Sequence, residues 1–368
     1  MAASTIHSAE DARRQARRRL PWMVFDYIDG AAGQESGAAR NRAALDAITL
    51  RPRILKDVSQ RSLSAQILDQ QSDRPFGIAP MGMCNLSAPG ADLMLARLAA
   101  HNRVPHVVST VASTSMEEII AEAEGNAWFQ LYFSGEGSGT FKLVERAKFA
   151  GYDVLVLTVD VPEVGRRPRE LRHGFKMPFR IGPRQFLDFA LHPRWSLTTL
   201  FKGRPVMANF DAEGYDFDRT ESRARADWGT LSRLRDAWPG KLVIKGVLDV
   251  EDARTLVSAG VDAIQVSSHG ARQLDSAPAP IEKLPEIRDA LGPDFPIFFD
   301  SGIRSGEDIL KALTVGADFV FVGRILQYAI AAAGEPGLEQ LWDVLSDELS
   351  IAMAQTGLTT LDDVGLRE

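Results

Sequence analysis

From Phe76 onward one unit recurs: a short apolar run rich in β-branched residues, a polar or glycine break, then a stretch with apolar residues at helical spacing. The runs are FGIAP from Phe76, VPHVVST from Val104, AWFQLY from Ala127, DVLVLTVD from Asp153, LVIKG from Leu242, AIQVSSH from Ala263, IFFDSG from Ile297 and FVFVGR from Phe319. Two of the intervening segments, Asp249 to Gly260 and Ser305 to Gly316, open on an acidic first turn and close on a glycine suited to a C-cap. Strands apolar on both faces and alternating with helices pair in parallel, and eight of them close a sheet. The pattern therefore predicts an α/β chain with a (β/α)8 TIM barrel over residues 76–360. A doubly wound open sheet is the competing architecture, but no GxGxxG follows the first run to support it.

Residues 1–75 are expected to form a helical extension packed on the barrel, so that 1–368 is read as one domain. The periodicity breaks once, over 161–226, predicting a long inserted loop after the fourth strand. Loops of that length serve as lids or binding surfaces. Within it, Met177 to Phe210 mixes Phe179, Ile181, Phe186, Leu187, Phe189, Leu191, Trp195, Leu197, Leu200 and Phe201 with Arg180, Arg184, Arg194, Lys202 and Arg204, and holds one acid, Asp188. That mixture suits either a loop folded over its own protein or a surface that meets an anionic bilayer.

Composition narrows the classes. With 42 Lys plus Arg against 49 Asp plus Glu, the net charge is −7, which argues against nucleic-acid binding by the chain as a whole. A single cysteine leaves no intrachain disulfide and no cysteine-based metal site, so a reducing, cytoplasmic setting is expected. Five arginines lie between Met1 and Leu20 with no apolar run behind them, unlike a secretory signal. No stretch approaches the ~18 apolar residues of a membrane-spanning helix.

Chemistry in such a barrel gathers at the C-terminal ends of the strands. There stand Pro80, Met81 and Gly82; Ser109; Gln130 and Tyr132; Thr158 and Asp160; Lys245; Ser267, Ser268, His269 and Arg272; Asp300, Ser301, Gly302 and Arg304; Gly323 and Arg324. The last two ends place glycines and guanidinium groups where this fold holds phosphate, which implies a phosphorylated cofactor. Lys245 inside the barrel is costly as mere structure, and fits a cation beside an electron-accepting ring.

SSHGARQLD from Ser267 resembles the signature of FMN-dependent (S)-2-hydroxy acid dehydrogenases and oxidases. So do LPWMVFDYIDGAAG from Leu20, RPRILKDV from Arg51, WFQLY from Trp128, LTVDVP from Leu157, GRR from Gly165 and VIKGV from Val243, in the family's order. LHPRWSL from Leu191 and the ANF ending at Phe210 are most similar to the membrane-associated (S)-mandelate dehydrogenase branch. The resemblance implies an FMN enzyme that oxidises a small 2-hydroxy acid, aromatic in that branch, to the 2-oxo acid. It implies His269 as base with Asp160 as its partner, and Tyr27, Tyr132, Arg167 and Arg272 about the substrate carboxylate. Lys245 matches the residue at the flavin N1/O2 edge. Pro80, Met81, Gly82, Ser109, Gln130, Thr158, Ser267 and Asp300 fall about the flavin ring, and Gly302, Arg304, Gly323 and Arg324 about its phosphate. It further implies a homotetramer, peripheral on the inner face of the cell membrane, and a quinone as acceptor. An oxidase that uses O2 and forms H2O2, an L-lactate dehydrogenase, and an FMN barrel that isomerises or only binds are the rival readings. The sequence departs from the family pattern at Met81 for Thr, Ser268 for Asn and Ile325 for Pro; the small Val111 opens room for a larger substrate.

Overall fold

The computed structural model describes residues 5–133, 138–175, 181–202, 205–210, 223–224, 226–361 and 364. Two short strands, β1 (Ala65–Ile67) and β2 (Gln70–Ser72), form an antiparallel hairpin. Eight further strands close a parallel barrel: β3 (Phe76–Ile78), β4 (His106–Val108), β5 (Ala127–Tyr132), β6 (Val154–Thr158), β7 (Lys241–Val247), β8 (Ala263–Val266), β9 (Ile297–Phe299) and β10 (Phe319–Val322). Each predicted run supplies one strand, and β10 pairs with β3 to complete the ring.

Alternation along each strand divides the runs between two environments. Phe129, Leu155, Leu157, Ile244, Ile264, Phe299 and Val320 face the surrounding helices. Val107, Trp128, Val156, Val243, Ala263, Phe298, Phe319 and Phe321 fill the barrel interior. Ile67 of the β1–β2 hairpin joins this interior cluster, and Trp128 Nε1 donates to Gln70 Oε1 at 3.2 Å, so the hairpin seals the floor. One step above the apolar layer the inward positions turn polar: Gln130, Thr158, Lys245, Gln265 and Asp300. The floor is thus a packed core, and chemistry is confined to the mouth.

The extension carries helices α1 (Ala9–Arg19), α2 (Trp22–Asp29) and α3 (Ser36–Ala47). Ala9, Ala12 and Ala16 line the buried face of α1, which packs on the helix Arg324–Ala333. Small side chains at that spacing let the two backbones approach closely.

The insertion is not all loop. It forms helices at Pro168–Arg172, Pro183–Leu191 and Pro193–Lys202, each opening on a proline that is preorganised for the first helical turn. Met177, Phe179, Arg180 and Arg204 lie outside the described residues. Among the described residues, no helix is long and apolar enough to cross a membrane.

Candidate active site

The inward polar layer is built around Asp300. Its Oδ1 accepts from Ser267 Oγ at 2.7 Å and Ser301 Oγ at 2.6 Å, and its Oδ2 from Gln265 Nε2 at 2.6 Å and Lys245 Nζ at 2.9 Å. Lys245 also donates to Ser267 Oγ at 2.6 Å. Burial is the largest influence and penalises both charges, but their mutual attraction, together with the Ser301 and Ser267 hydrogen bonds to Asp300 and the Asp160 charge near Lys245, overcomes it: Asp300 is held below, and Lys245 above, its ordinary pKa.

Ser267 and Ser301 then shape the loop after β8. His269, Gly270 and Ala271 have φ of 56°, 62° and 60°, a left-handed run that costs about 1–3 kcal/mol per non-glycine residue. Ser267 Oγ accepts from the His269 N–H at 3.0 Å, and Ser301 Oγ accepts from the N–H groups of Ser268 and Gly270 at 3.2 and 3.0 Å. The strain is therefore over-determined by hydrogen bonds anchored on Asp300, and it aims the His269 ring across the mouth.

His269 Nδ1 lies 2.9 Å from Asp160 Oδ1, and its Nε2 lies 3.3 Å from the Tyr132 hydroxyl. A carboxylate can only accept, so Nδ1 carries the hydrogen and Nε2 presents a lone pair. Burial lowers the His269 pKa below its usual 6.5, with Asp160 opposing and Lys245 and Arg167 assisting. At neutral pH the imidazole is a neutral base. Asp160 reaches it only because residue 246 is glycine: φ there is 109°, and a Cβ would stand 2.6 Å from that of Asp160.

A second cluster faces this row. Arg167 Nη1 and Arg272 Nη2 donate to the same Glu170 Oε1 at 3.2 and 2.9 Å, and Arg272 Nη1 donates to the carbonyls of Tyr27 and Gly30. The Arg272 guanidinium lies 5.3 Å from the Tyr27 ring, which stacks on Phe175 at 4.5 Å. Two guanidinium groups and one carboxylate sum to +1, a charge suited to one bound carboxylate.

Between the two clusters lies an open cleft of about 1200 Å3. Of the sequence-predicted residues, Tyr27, Tyr132, Arg167, His269, Arg272, Pro80, Met81, Gly82, Lys245, Asp300, Gly302, Gly323 and Arg324 line it. Asp160 stands behind His269. Ser109, Gln130, Thr158 and Ser267 form the buried ring beneath. Arg304 does not line the cleft: its N–H is tied to Asp308 at 2.8 Å and its guanidinium sits 5.9 Å from the Tyr328 ring. Sequence reasoning missed Glu170, Gln265, Arg223 and Asn41. Asn41 Nδ2 donates to Ser268 Oγ at 2.9 Å, which gives the departure at position 268 a partner from α3.

Residues 16–367 match the FMN-dependent dehydrogenase family. The chain belongs to that family. It is 38% identical over 362 residues to (S)-mandelate dehydrogenase of Pseudomonas putida, covering 96% of this chain and 91% of that one. It is 37% identical over 374 residues to an L-lactate dehydrogenase of Pseudomonas syringae pv. syringae (strain B728a), covering 98% and 97%. Among solved structures, the monotopic membrane protein (S)-mandelate dehydrogenase superposes with a TM-score of 0.93 at 37% identity, covering 98% of this chain and 97% of that one. Mandelate oxidase superposes with a TM-score of 0.85 at 37% identity and the same coverage.

This FMN-dependent dehydrogenase family member is an oxidoreductase acting on the CH–OH group of a 2-hydroxy acid. Its mouth fits FMN. Gln130 Nε2 and Thr158 Oγ1 are buried polar atoms with no hydrogen-bond partner among the described residues, in the ring that surrounds Lys245. Gly323 caps the helix that begins at the half-buried Arg324, a helix N-terminus of the kind that binds phosphate.

Proposed function

We propose that the cleft oxidises an aromatic (S)-2-hydroxy acid of the mandelate type. FMN, when bound, accepts the two electrons released from the substrate carbon. Pro80, Met81, Gly82, Ser109, Gln130, Thr158, Lys245, Ser267 and Asp300 would hold its ring system. Gly302, Gly323 and Arg324 would hold its phosphate, with Arg304 adding charge from beside Tyr328.

The substrate carboxylate is drawn between Arg167 and Arg272, with Tyr27 and Tyr132 donating to its oxygens, and this fixes where the hydroxyl-bearing carbon stands. His269 Nε2 takes the substrate proton, and Asp160 stabilises the imidazolium that results. The Asp160–His269–Tyr132 row, facing the Arg167–Glu170–Arg272 cluster across one cleft, is the observation that carries this reading. Val111, Val161 and Val164 supply an apolar wall for an aromatic side chain. The test is a panel of (S)-2-hydroxy acids mixed anaerobically with the yellow enzyme. Mandelate should bleach the flavin fastest; equal or faster bleaching by lactate or glycolate removes the aromatic assignment.

The acceptor we propose is a membrane quinone, and the support is a surface. Phe186, Leu187, Leu191, Leu197, Leu200 and Phe201 are exposed on the paired helices Pro183–Leu191 and Pro193–Lys202, beside the half-exposed Trp22 and among Arg184, Arg194 and Lys202. Such a face suits insertion into an anionic bilayer from the cytoplasmic side. The pair Leu200→Ser and Phe201→Ser should release the protein from anionic vesicles while leaving soluble-acceptor turnover intact. Oxygen consumption outpacing quinone-analogue reduction would instead favour an oxidase. We propose a homotetramer, as the family resemblance implies; light scattering tests it.

A further inference from the structure

Arg223 stands where the inserted segment returns to the barrel, its N–H donating to the Pro162 carbonyl at 2.9 Å. The residue is 7% exposed, and its guanidinium carbon lies 4.9 Å from the centroid of the Tyr132 ring. It also lines the cleft that holds Arg167 and Arg272. A guanidinium at that distance over a phenol is attracted by the ring quadrupole, and the attraction grows when both groups leave water. The same ring stacks on the His269 imidazole, with centroids 6.4 Å apart and planes inclined by 24°. Tyr132 thus contacts both a cation and the candidate base.

The cation also acts on the hydroxyl. Burial and Asp160 push the Tyr132 pKa up, while the charges of Lys245, Arg223 and Arg167 oppose that rise. Polarising the phenol toward O−/H+ makes its hydroxyl a better donor, and the group it must serve in the cleft is an anionic carboxylate.

We propose that Arg223 is a positioning residue of the oxidation, holding the Tyr132 ring so that its single O–H can turn from His269 Nε2 to the substrate carboxylate, which frees the Nε2 lone pair for the substrate proton. The proposal rests on the substrate-binding role given to Tyr132 above. It joins the inserted segment to the chemistry, because Pro162, which anchors Arg223, lies two residues beyond Asp160. Both partners of His269 are then braced from one junction.

A double-mutant cycle tests this with the FMN-loaded enzyme, (S)-mandelate and an artificial acceptor, with flavin content and Tm recorded alongside. Arg223→Met should stay yellow with an unchanged Tm and lose about 3- to 30-fold in kcat/KM. Arg223→Lys, which keeps a cation over the ring, should recover most of that loss. In a Tyr132→Phe background, with no hydroxyl to place, Arg223→Met should cost nothing further. The proposal is overturned if Arg223→Met matches the parent, if Lys rescues no better than Met, or if the loss is the same in both backgrounds. Should Arg223→Met not fold, Arg223→Gln carries the same cycle with the same expectations. An unimpaired Tyr132→Phe would instead overturn the role of Tyr132, which separates the two failures.

Discussion

Asp160→Asn removes a charge while keeping a hydrogen-bond acceptor of the same size. The charge matters only after His269 has gained the substrate proton, because a neutral imidazole has no net charge to stabilise. At 2.9 Å and an effective dielectric of about 20, the imidazolium–carboxylate attraction is about 6 kcal/mol. The asparagine oxygen still accepts from Nδ1 and recovers about 2 kcal/mol. The net loss of about 3–4 kcal/mol corresponds to about 10²–10³ in rate. The assay is stopped-flow flavin reduction by (S)-mandelate without oxygen, which isolates the substrate half of the turnover. The pH profile adds a signed check. The base must be neutral, so kcat/KM rises with pH through a His269 pKa that burial sets below 6.5. Asp160 raises that pKa, so Asp160→Asn should shift the acid limb to lower pH. A loss under about tenfold, or a limb that moves to higher pH, refutes the assignment.

Three further outcomes follow from the geometry. Lys245→Met leaves Asp300 charged and buried without its cation, costing about 3–5 kcal/mol in denaturant unfolding of the apoprotein; adding Asp300→Asn should restore part of it, and a loss within about 1 kcal/mol contradicts the pairing. Gly82→Ala places a Cβ 2.5 Å from Val111 Cγ2, so KM for mandelate should rise and Gly82→Ala with Val111→Ala should recover it; no recovery means the clash lies elsewhere. Asp92, which accepts from the Ser113 N–H at 2.8 Å, has its pKa raised from 3.8 to about 6 by burial. The folded state therefore holds that proton more tightly, so the contribution favours folding at low pH and is lost as pH rises through about 6. Asp92→Asn should gain Tm relative to the parent on going from about pH 5 to pH 7.5, and a flat or opposite difference contradicts the shift.

The barrel was legible because its strands are buried on both faces: runs such as Val154–Thr158 have no other place in a folded chain. Polar residues at their C-terminal ends also showed where chemistry begins, and the structure sets Gln130 and Tyr132 above Trp128 in the floor. The β1–β2 hairpin was not legible, since three-residue strands carry almost no period and Ile67 has a purpose only once a barrel floor exists. In the insertion the aromatic and basic mixture was plain. The predicted loop over 161–226 instead contains helices that start at Pro183 and Pro193. Strand-end residues such as Lys245, His269 and Asp300 announce themselves by being polar after an apolar run. Glu170 and Arg223 give no such signal. Each sits in a charged stretch typical of a surface, and only the fold carries Glu170 between two arginines and Arg223 over Tyr132.

The most direct test of the account is anaerobic mixing of the holoenzyme and its His269→Gln variant with (S)-mandelate while flavin absorbance is followed. The parent should bleach rapidly, and the variant should keep its full FMN content, remain yellow and bleach at least about 10³-fold more slowly, as expected for a lost base. Bleaching of His269→Gln at the parent rate would contradict the central claim that His269 Nε2 removes the substrate proton.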